Sequence, residues 1–357
     1  SACSRNVASA TRRWPRSPRR PASRAAQNGL FLQSVASRTA EAHKRHPARQ
    51  AAQAAAHLRS IGEDDLIVFR EARTNSVEPL LVSPYVVAPV FADDDLVHDG
   101  FEARPAVLGE HAKKFPYFPL LIKLIDAKDN LSVQVHPDND YAMRVEGEYG
   151  KTEMWYIVDC EPGATLIYGF KHAISKEEFE KRIADNTLLE VCNQVPVHKG
   201  DVFFIASGTL HAIGKGIIIC EIQQNSNTTY RVYDYGRVGK DGKPRELHVK
   251  KAIDVTKLEP VKERPHLEAT IDIFEGTTAR LLASCEYFTV YELDVDGTSH
   301  LTAGEDSFQS FTVLDGSVIL RTADSELTFQ KGETSFLPAG LGAYTLTGKA
   351  RLVLSKI

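Results

Sequence analysis

The chain has 357 residues, 43% of them hydrophobic and 25% charged, with a formal net charge of −4. That length buries more than one core and predicts at least two domains, while the charge balance argues against a nucleic-acid partner and no run reaches the roughly 18 apolar residues of a membrane span. Cys3, Cys160, Cys192, Cys220 and Cys285 are scattered without paired spacing, which predicts reduced thiols in a cytoplasmic protein and neither a disulfide framework nor a thiolate zinc site.

Residues 1–79 read as an atypical basic tail. "TRRWPRSPRRPASR" is rich in Arg, Pro, Ser and Ala, and the first acidic residue is Glu41. Such composition suits a transit segment or a stretch without native structure; a non-structural tail is expected, with a short Ala-rich helix at 51–59. From Leu80 the pattern turns to β. "PLLVSPYVVAPVF" is strand-like but interrupted by Pro84 and Pro89. "FPLLIKLIDA", "LSVQVHP", "TEMWYIVDC", "ATLIYGF", "DVFFIASG" and "GIIICEIQQ" are short runs rich in β-branched and aromatic residues, bounded by turn residues, as in a sandwich or barrel. One segment differs. "SKEEFEKRIADNTLLEVC" opens with Ser175 and carries Glu178 three residues later, a capping-box pattern, and Phe179 and Ile183 lie four apart; a surface helix is expected there.

Within "LSVQVHP", Leu131, Val133 and Val135 alternate with Ser132, Gln134 and His136. Side chains alternate faces along a strand, so the hydroxyl, the amide and the imidazole share one face, the wall of a polar pocket or a surface open to water. An internal echo follows. "KGDVFFIASGTLHAIG" from Lys199 and "KGETSFLPAGLGAYTL" from Lys331 share Lys-Gly-acid, a hydrophobic strand, a turn ending in Gly and a second strand; His211 of the first copy corresponds to Ala343 of the second. Two related β-barrels are predicted, one equipped for a metal and one without it.

Gln134, His136, Glu153 and His211 are candidate metal ligands in the first barrel region. Imidazoles with a carboxylate suit Zn²⁺ and also Fe²⁺, Mn²⁺ or Ni²⁺, and the lack of thiolates favours a catalytic site over a closed structural one. Lys123 interrupts the apolar run "LLIKLI", where an ammonium is costly without a partner. Lys151 stands two residues before Glu153, and Arg231 follows the polar run "QQNSNTTY". Lysines, an arginine and hydroxyls suit a phosphate ester; for Arg231 the plainer reading is a structural ion pair with Asp234.

On these residues a resemblance appears. "FPLLIKLIDAKDNLSVQVHPD", "GKTEMWYIVDC", "GTLHAIGKGIIICEIQQNSNTTYRVYDYGR" and "RELHVKKAID" closely resemble the type I mannose-6-phosphate isomerase family in its short bacterial form, from about Phe115 to Leu258. The resemblance implies an all-β-dominated fold of two cupin-type jelly-roll barrels with a few short helices. It implies a metal-binding catalytic domain at 80–258 and a metal-free cupin-like domain at 259–357. It further implies a zinc enzyme interconverting mannose 6-phosphate and fructose 6-phosphate through a cis-enediol, with zinc on Gln134, His136, Glu153 and His211. Lys123 and Ser132 then match phosphate-holding positions, and Lys151, Glu221 and Arg231 match catalytic positions near the sugar, Glu221 as a candidate base. The only partner implied is the small-molecule sugar phosphate; no nucleic acid, membrane or partner protein is. The chain departs from the family before "FPLL", where the usual Trp-Gly-Gly and Gly-Glu-Ser-Trp segments are missing, so part of the N-terminal sheet is expected to be absent or replaced. Two rival readings are an iron cupin oxygenase using a two-His, one-carboxylate triad and a sugar-phosphate-binding cupin without turnover.

Overall fold

The computed structural model describes residues 67–69, 82–86, 108–115, 118–238, 242–262 and 274–357. The tail before Ile67, including the helix expected at 51–59, lies outside the described residues. The strands of the first part are β1 (Ile67–Phe69), β2 (Val82–Val86), β3 (Leu120–Ala127), β4 (Val133–Val135), β5 (Glu153–Cys160), β6 (Thr165–Phe170), β7 (Cys192–Pro196), β8 (Val202–Ile205), β9 (His211–Ala212), β10 (Ile217–Gln224) and β11 (Tyr230–Tyr233). Then come β12 (Glu275–Ser284), β13 (Thr289–Ala303), β14 (Gln309–Arg321), β15 (Glu326–Gln330), β16 (Thr334–Leu337) and β17 (Gly342–Lys356). Short helices interleave: α1 (Asn139–Val145), α2 (Lys176–Ala184) and α3 (Val249–Val255). The chain is strand-dominated, as its turn-bounded β-branched runs predict.

Three antiparallel sheets hold these strands. One runs β2-β3-β10-β5-β8, a second β11-β4-β9-β6-β7, and a third, seven-stranded, β1-β16-β14-β17-β13-β12 with β15 on β14. β2 passes through Pro84 rather than ending there; it is an edge strand, where proline is tolerated. Within the segment expected to be non-structural, β1 pairs with Thr334–Phe336 of β16. The helix expected after Ser175 is α2. Ser175 caps it by accepting from the Glu178 N–H, and Phe179 and Ile183 are buried beneath it.

The internal echo is structural. Gly200 and Gly332 take φ of 90° and 87°, and Gly208 and Gly340 take 83° and 77°, all in the left-handed region that favours glycine. In both copies the acid after Lys-Gly closes the turn: Asp201 accepts from the His198 N–H at 2.7 Å and Glu333 from the Gln330 N–H at 2.9 Å.

Burial sorts each strand into two faces. In the β3-β10-β5 sheet, Leu120, Ile122, Met154, Tyr156, Cys220 and Ile222 share a core with Val290, Phe336 and Val353 of the third sheet and with Phe288 and Phe308, which lead into its strands β13 and β14. The opposite face carries Ile125, Ile157, Ile217 and Ile219 at one end, around a second core with Leu166 and Ile205. At the other end of that face stand Lys123, Glu153, Trp155, Glu221 and Gln223. The second sheet turns Val133, Val135 and Ala212 toward a third core containing Phe179 and Ile183 of α2 and Ala252 of α3. Gln134 and His211 therefore face inward.

Candidate metal centre

Register brings the polar residues into rows. Glu221 pairs with Lys123 on one side and Trp155 on the other, and Gln223 pairs with Glu153. In the facing sheet Gln134 pairs with both Arg231 and His211. His136 follows β4 two residues after Gln134, on the same face, and is 1% exposed.

The ligand atoms of His136, Glu153 and His211 all lie within 4.8 Å of one another, and all three residues are buried. Nε2 of His136 is 3.1 Å from Nε2 of His211. Glu153 brings Oε2 to 3.6 Å from His136 Nε2 and Oε1 to 3.4 Å from His211 Nε2. The far sides of the rings are tied down: His136 Nδ1 lies 2.9 Å from the Thr228 carbonyl oxygen and His211 Nδ1 2.8 Å from that of Thr209. A carbonyl only accepts, so each Nδ1 carries the proton and each Nε2 presents a lone pair. Burial lowers the pKa of both imidazoles, Lys151 adds to the effect, and Glu153 opposes it at His211; both rings are neutral in the physiological range.

Two lone pairs thus confront each other beside a fully buried carboxylate. Lys151 Nζ lies 2.8 Å from Glu153 Oε2 and 3.2 Å from His136 Nε2. One ammonium does not meet two imidazole lone pairs and two carboxylate oxygens, and unmet buried acceptors are costly; a divalent cation satisfies all of them at once. Two neutral imidazoles held by backbone carbonyls, with a carboxylate, fit a first-row ion such as zinc. Gln134, half-buried, stands beside His211 in the ladder, where its amide oxygen can join the set.

Beside these groups is a charge network. Lys123 Nζ donates to Glu221 Oε1 at 2.9 Å and to the Gln223 side-chain oxygen. Trp155 Nε1 donates to Glu221 Oε2 at 3.0 Å. Lys151 Nζ lies 3.2 Å from His136 Nε2 and 3.9 Å from Glu221 Oε1. Burial opposes ionisation of Glu221, but the Lys123 and Lys151 ammoniums outweigh it and hold the carboxyl well below the usual range. Burial likewise works against the charge on Lys151, and Glu153 and Glu221 more than restore it. The two ammoniums cancel the two carboxylates, so a divalent ion leaves a site about two charges positive. That matches a phosphate monoester, which carries about −1.5 to −2.

Ser132 and Arg231 meet at the same edge. Arg231 Nε donates to Ser132 Oγ at 3.2 Å, and Nη1 donates to the Glu246 carbonyl at 3.2 Å. Every candidate site residue named from the sequence therefore lies in one of two adjoining clusters. Sequence reasoning overlooked Trp155 and Gln223. Gln223 spends both amide N–H groups on the carbonyls of Gln224 and Ser226, which turns its oxygen toward Lys123. The signal was available: Trp155 lies two residues after Glu153, and Gln223 two after Glu221, on the same strand faces.

Comparison with known proteins follows this geometry. The family described as "Phosphomannose isomerase type I, catalytic domain" matches residues 92–158, and that described as "Mannose-6-phosphate isomerase, cupin domain" matches residues 277–357. The chain is 42% identical over 243 residues to the mannose-6-phosphate isomerase ManA of Bacillus subtilis, covering 67% of this chain and 75% of the relative. It is 40% identical over 243 residues to the mannose-6-phosphate isomerase of Streptococcus mutans, covering 68% and 75%. The crystal structure of the mannose 6-phosphate isomerase from Bacillus subtilis superposes with a TM-score of 0.64 at 38% identity, covering 73% of this chain and 81% of that one. The structure of a putative mannosephosphate isomerase from Archaeoglobus fulgidus superposes at 0.58 with 25% identity, covering 72% and 78%.

Proposed function

The chain belongs to the type I phosphomannose isomerase family, and from that membership we propose that it interconverts mannose 6-phosphate and fructose 6-phosphate at the buried cluster of His136, Glu153 and His211. The observation that carries this reading is the pair of opposed imidazole lone pairs beside a fully buried carboxylate, adjoining a lysine-lined wall. Gln134, His136, Glu153 and His211 are the residues that would hold zinc. When bound, zinc supplies Lewis-acid polarisation of the sugar oxygens at the reacting carbons.

The protein's own groups do the rest. Lys123 and Ser132 hold the phosphate, which spends binding energy remote from the reacting carbons on orientation. Glu221 is the candidate base for moving a proton between C1 and C2 through a cis-enediol. Its carboxylate is ionised, and Trp155 fixes its plane through Oε2. Lys123 at Oε1 competes with that proton, so drawing Lys123 toward the phosphate frees the oxygen that would accept it. Arg231, a permanent cation, stabilises negative oxygen on the sugar or assists ring opening, and Lys151 adds positive charge beside the same carbons. The neutral state of His136 and His211 keeps their Nε2 atoms available as ligands. The sheet from Glu275 onward repeats the turn of the first barrel without its histidine and serves as support.

The test is a coupled assay on mannose 6-phosphate with zinc-loaded protein, before and after chelation. Fructose 6-phosphate is expected, lost on chelation and regained with zinc. Binding of mannose 6-phosphate in calorimetry with no product from zinc-loaded protein overturns the catalytic reading, and iron-dependent oxygen uptake overturns the metal assignment.

A further inference from the structure

Among the described residues, the proposed mechanism leaves one buried carboxylate unused. Asp234 is 6% exposed and lies three residues after Arg231. It does not hydrogen-bond Arg231; two other arginines take it. Arg245 donates through Nε to Oδ2 and through Nη2 to Oδ1, both at 2.6 Å. Arg237 donates through Nη2 to Oδ1, and through Nη1 to the Asn130 carbonyl at 2.7 Å. One carboxylate therefore ties together the limb leaving β11, the limb returning toward α3 and the entry to β4.

The two groups that aim Arg231 sit next to those ties. Glu246, adjacent to Arg245, supplies the carbonyl that accepts from Arg231 Nη1 at 3.2 Å. Ser132, two residues after Asn130, supplies the hydroxyl that accepts from Arg231 Nε at 3.2 Å. The backbone of Arg231 is fixed separately, by its carbonyl accepting from the His248 N–H at 2.8 Å and its N–H donating to His248 Nδ1 at 3.2 Å. The limbs are further joined by a bridge between Val238 and Pro244. What the backbone contacts do not set is the direction of the guanidinium; its side-chain partners set that. A guanidinium is long and flexible, and its conformational freedom is restrained only by such partners.

We infer that Asp234 is a positioning residue for the isomerase: by clamping Arg237 and Arg245 it holds Ser132 and the Glu246 carbonyl where they aim the Arg231 guanidinium at the sugar. This rests on the reading of Arg231 as acting on the sugar.

Asp234→Asn keeps the shape and removes the charge that binds two guanidiniums. Turnover is measured per mole of zinc-loaded protein, alongside the Arg231 Nε–H resonance in ¹H–¹⁵N spectra, identified by its disappearance in Arg231→Lys. Expected for Asp234→Asn are a kcat lower by roughly tenfold to a hundredfold, little change in KM, full zinc content and a broadened or shifted Arg231 resonance, with Asp234→Glu recovering part of the loss. Arg245→Gln, at a side chain 48% exposed and so safe for folding, moves both readouts the same way by less. Added to Asp234→Asn it causes no further loss, since both act through one path. In an active wild type, either readout unmoved by Asp234→Asn and Arg245→Gln overturns the inference; a lowered Tm with unchanged kcat is such a result. An inactive wild type overturns the functional reading instead, and the resonance alone then decides whether Asp234 orders Arg231.

Discussion

His136 and His211 turn their Nε2 atoms toward each other at 3.1 Å, each with its Nδ1 tied to a backbone carbonyl oxygen. Two neutral imidazoles in this arrangement have no proton to share between them, and Lys151 Nζ, 3.2 Å from His136 Nε2, meets only one of the two lone pairs; a metal ion between the rings would meet both. Replacing His211 by Ala removes one ligand and leaves the Glu153 carboxylate with less to hold. Zinc content measured by mass spectrometry is expected to fall well below one per chain, with turnover falling in parallel. Full turnover without metal would contradict the proposed chemistry.

Glu221→Gln separates proton transfer from positioning. The amide oxygen still accepts from Trp155 or Lys123, so zinc content and fold are expected to hold. Loss of the carboxylate is expected to lower kcat by roughly 10²- to 10⁴-fold, the usual worth of a positioned acid or base. A loss under about fivefold, read in the same coupled assay, would move the proton-transfer role to another residue.

Met154 is fully buried on the face of β5 opposite Glu153, in a core shared with Val290, Phe336 and Val353 of the third sheet. Truncation to Ala is expected to cost about 2–5 kcal/mol of unfolding free energy. Denaturant unfolding followed by Trp fluorescence and by far-ultraviolet circular dichroism is expected to show one coincident transition, because the sheets share that core. Two separate transitions would show that they do not stabilise each other.

Tyr156 donates its hydroxyl to Glu292 Oε1 at 2.6 Å. Burial, together with this bond to Glu292, pushes the phenol up to about 12. A pKa raised on folding stabilises the folded state below the unfolded value near 10 and loses that contribution as pH rises through the folded value. Tyr156→Phe is therefore expected to lose about 1 kcal/mol at neutral pH and to fall less steeply in Tm than the wild type between about pH 10 and 12. Parallel Tm curves across that range would show that Tyr156 does not titrate as described.

Much of the site could be read along single strands. The alternation in "LSVQVHP" placed Ser132, Gln134 and His136 on one face, and Val133 and Val135 are indeed fully buried on the other. The capping pattern at Ser175 and Glu178 located the start of α2, whose first residue is Lys176, because a cap and its helix are neighbours in the chain. Asp234 shows where this reading ends. Its proximity to Arg231 suggested an ion pair, yet its partners are Arg237 and Arg245, since the limb beyond β11 doubles back and delivers Arg245 to it.

Periodicity, turn chemistry and the repeated Lys-Gly-acid turn are local, and the amino-acid sequence alone determined them: a β-rich chain, its one capped surface helix, and strand faces carrying chemistry. Which faces meet is set by register across strands distant in the chain. Only the folded molecule decided that Glu153 reaches His136 and His211, that Gln223 turns its oxygen to Lys123, and that β5 presents Glu153 on one side and Met154 to the third sheet on the other. Long-range pairing chooses among many arrangements of equal local merit, and no short stretch carries the packing energy that makes the choice.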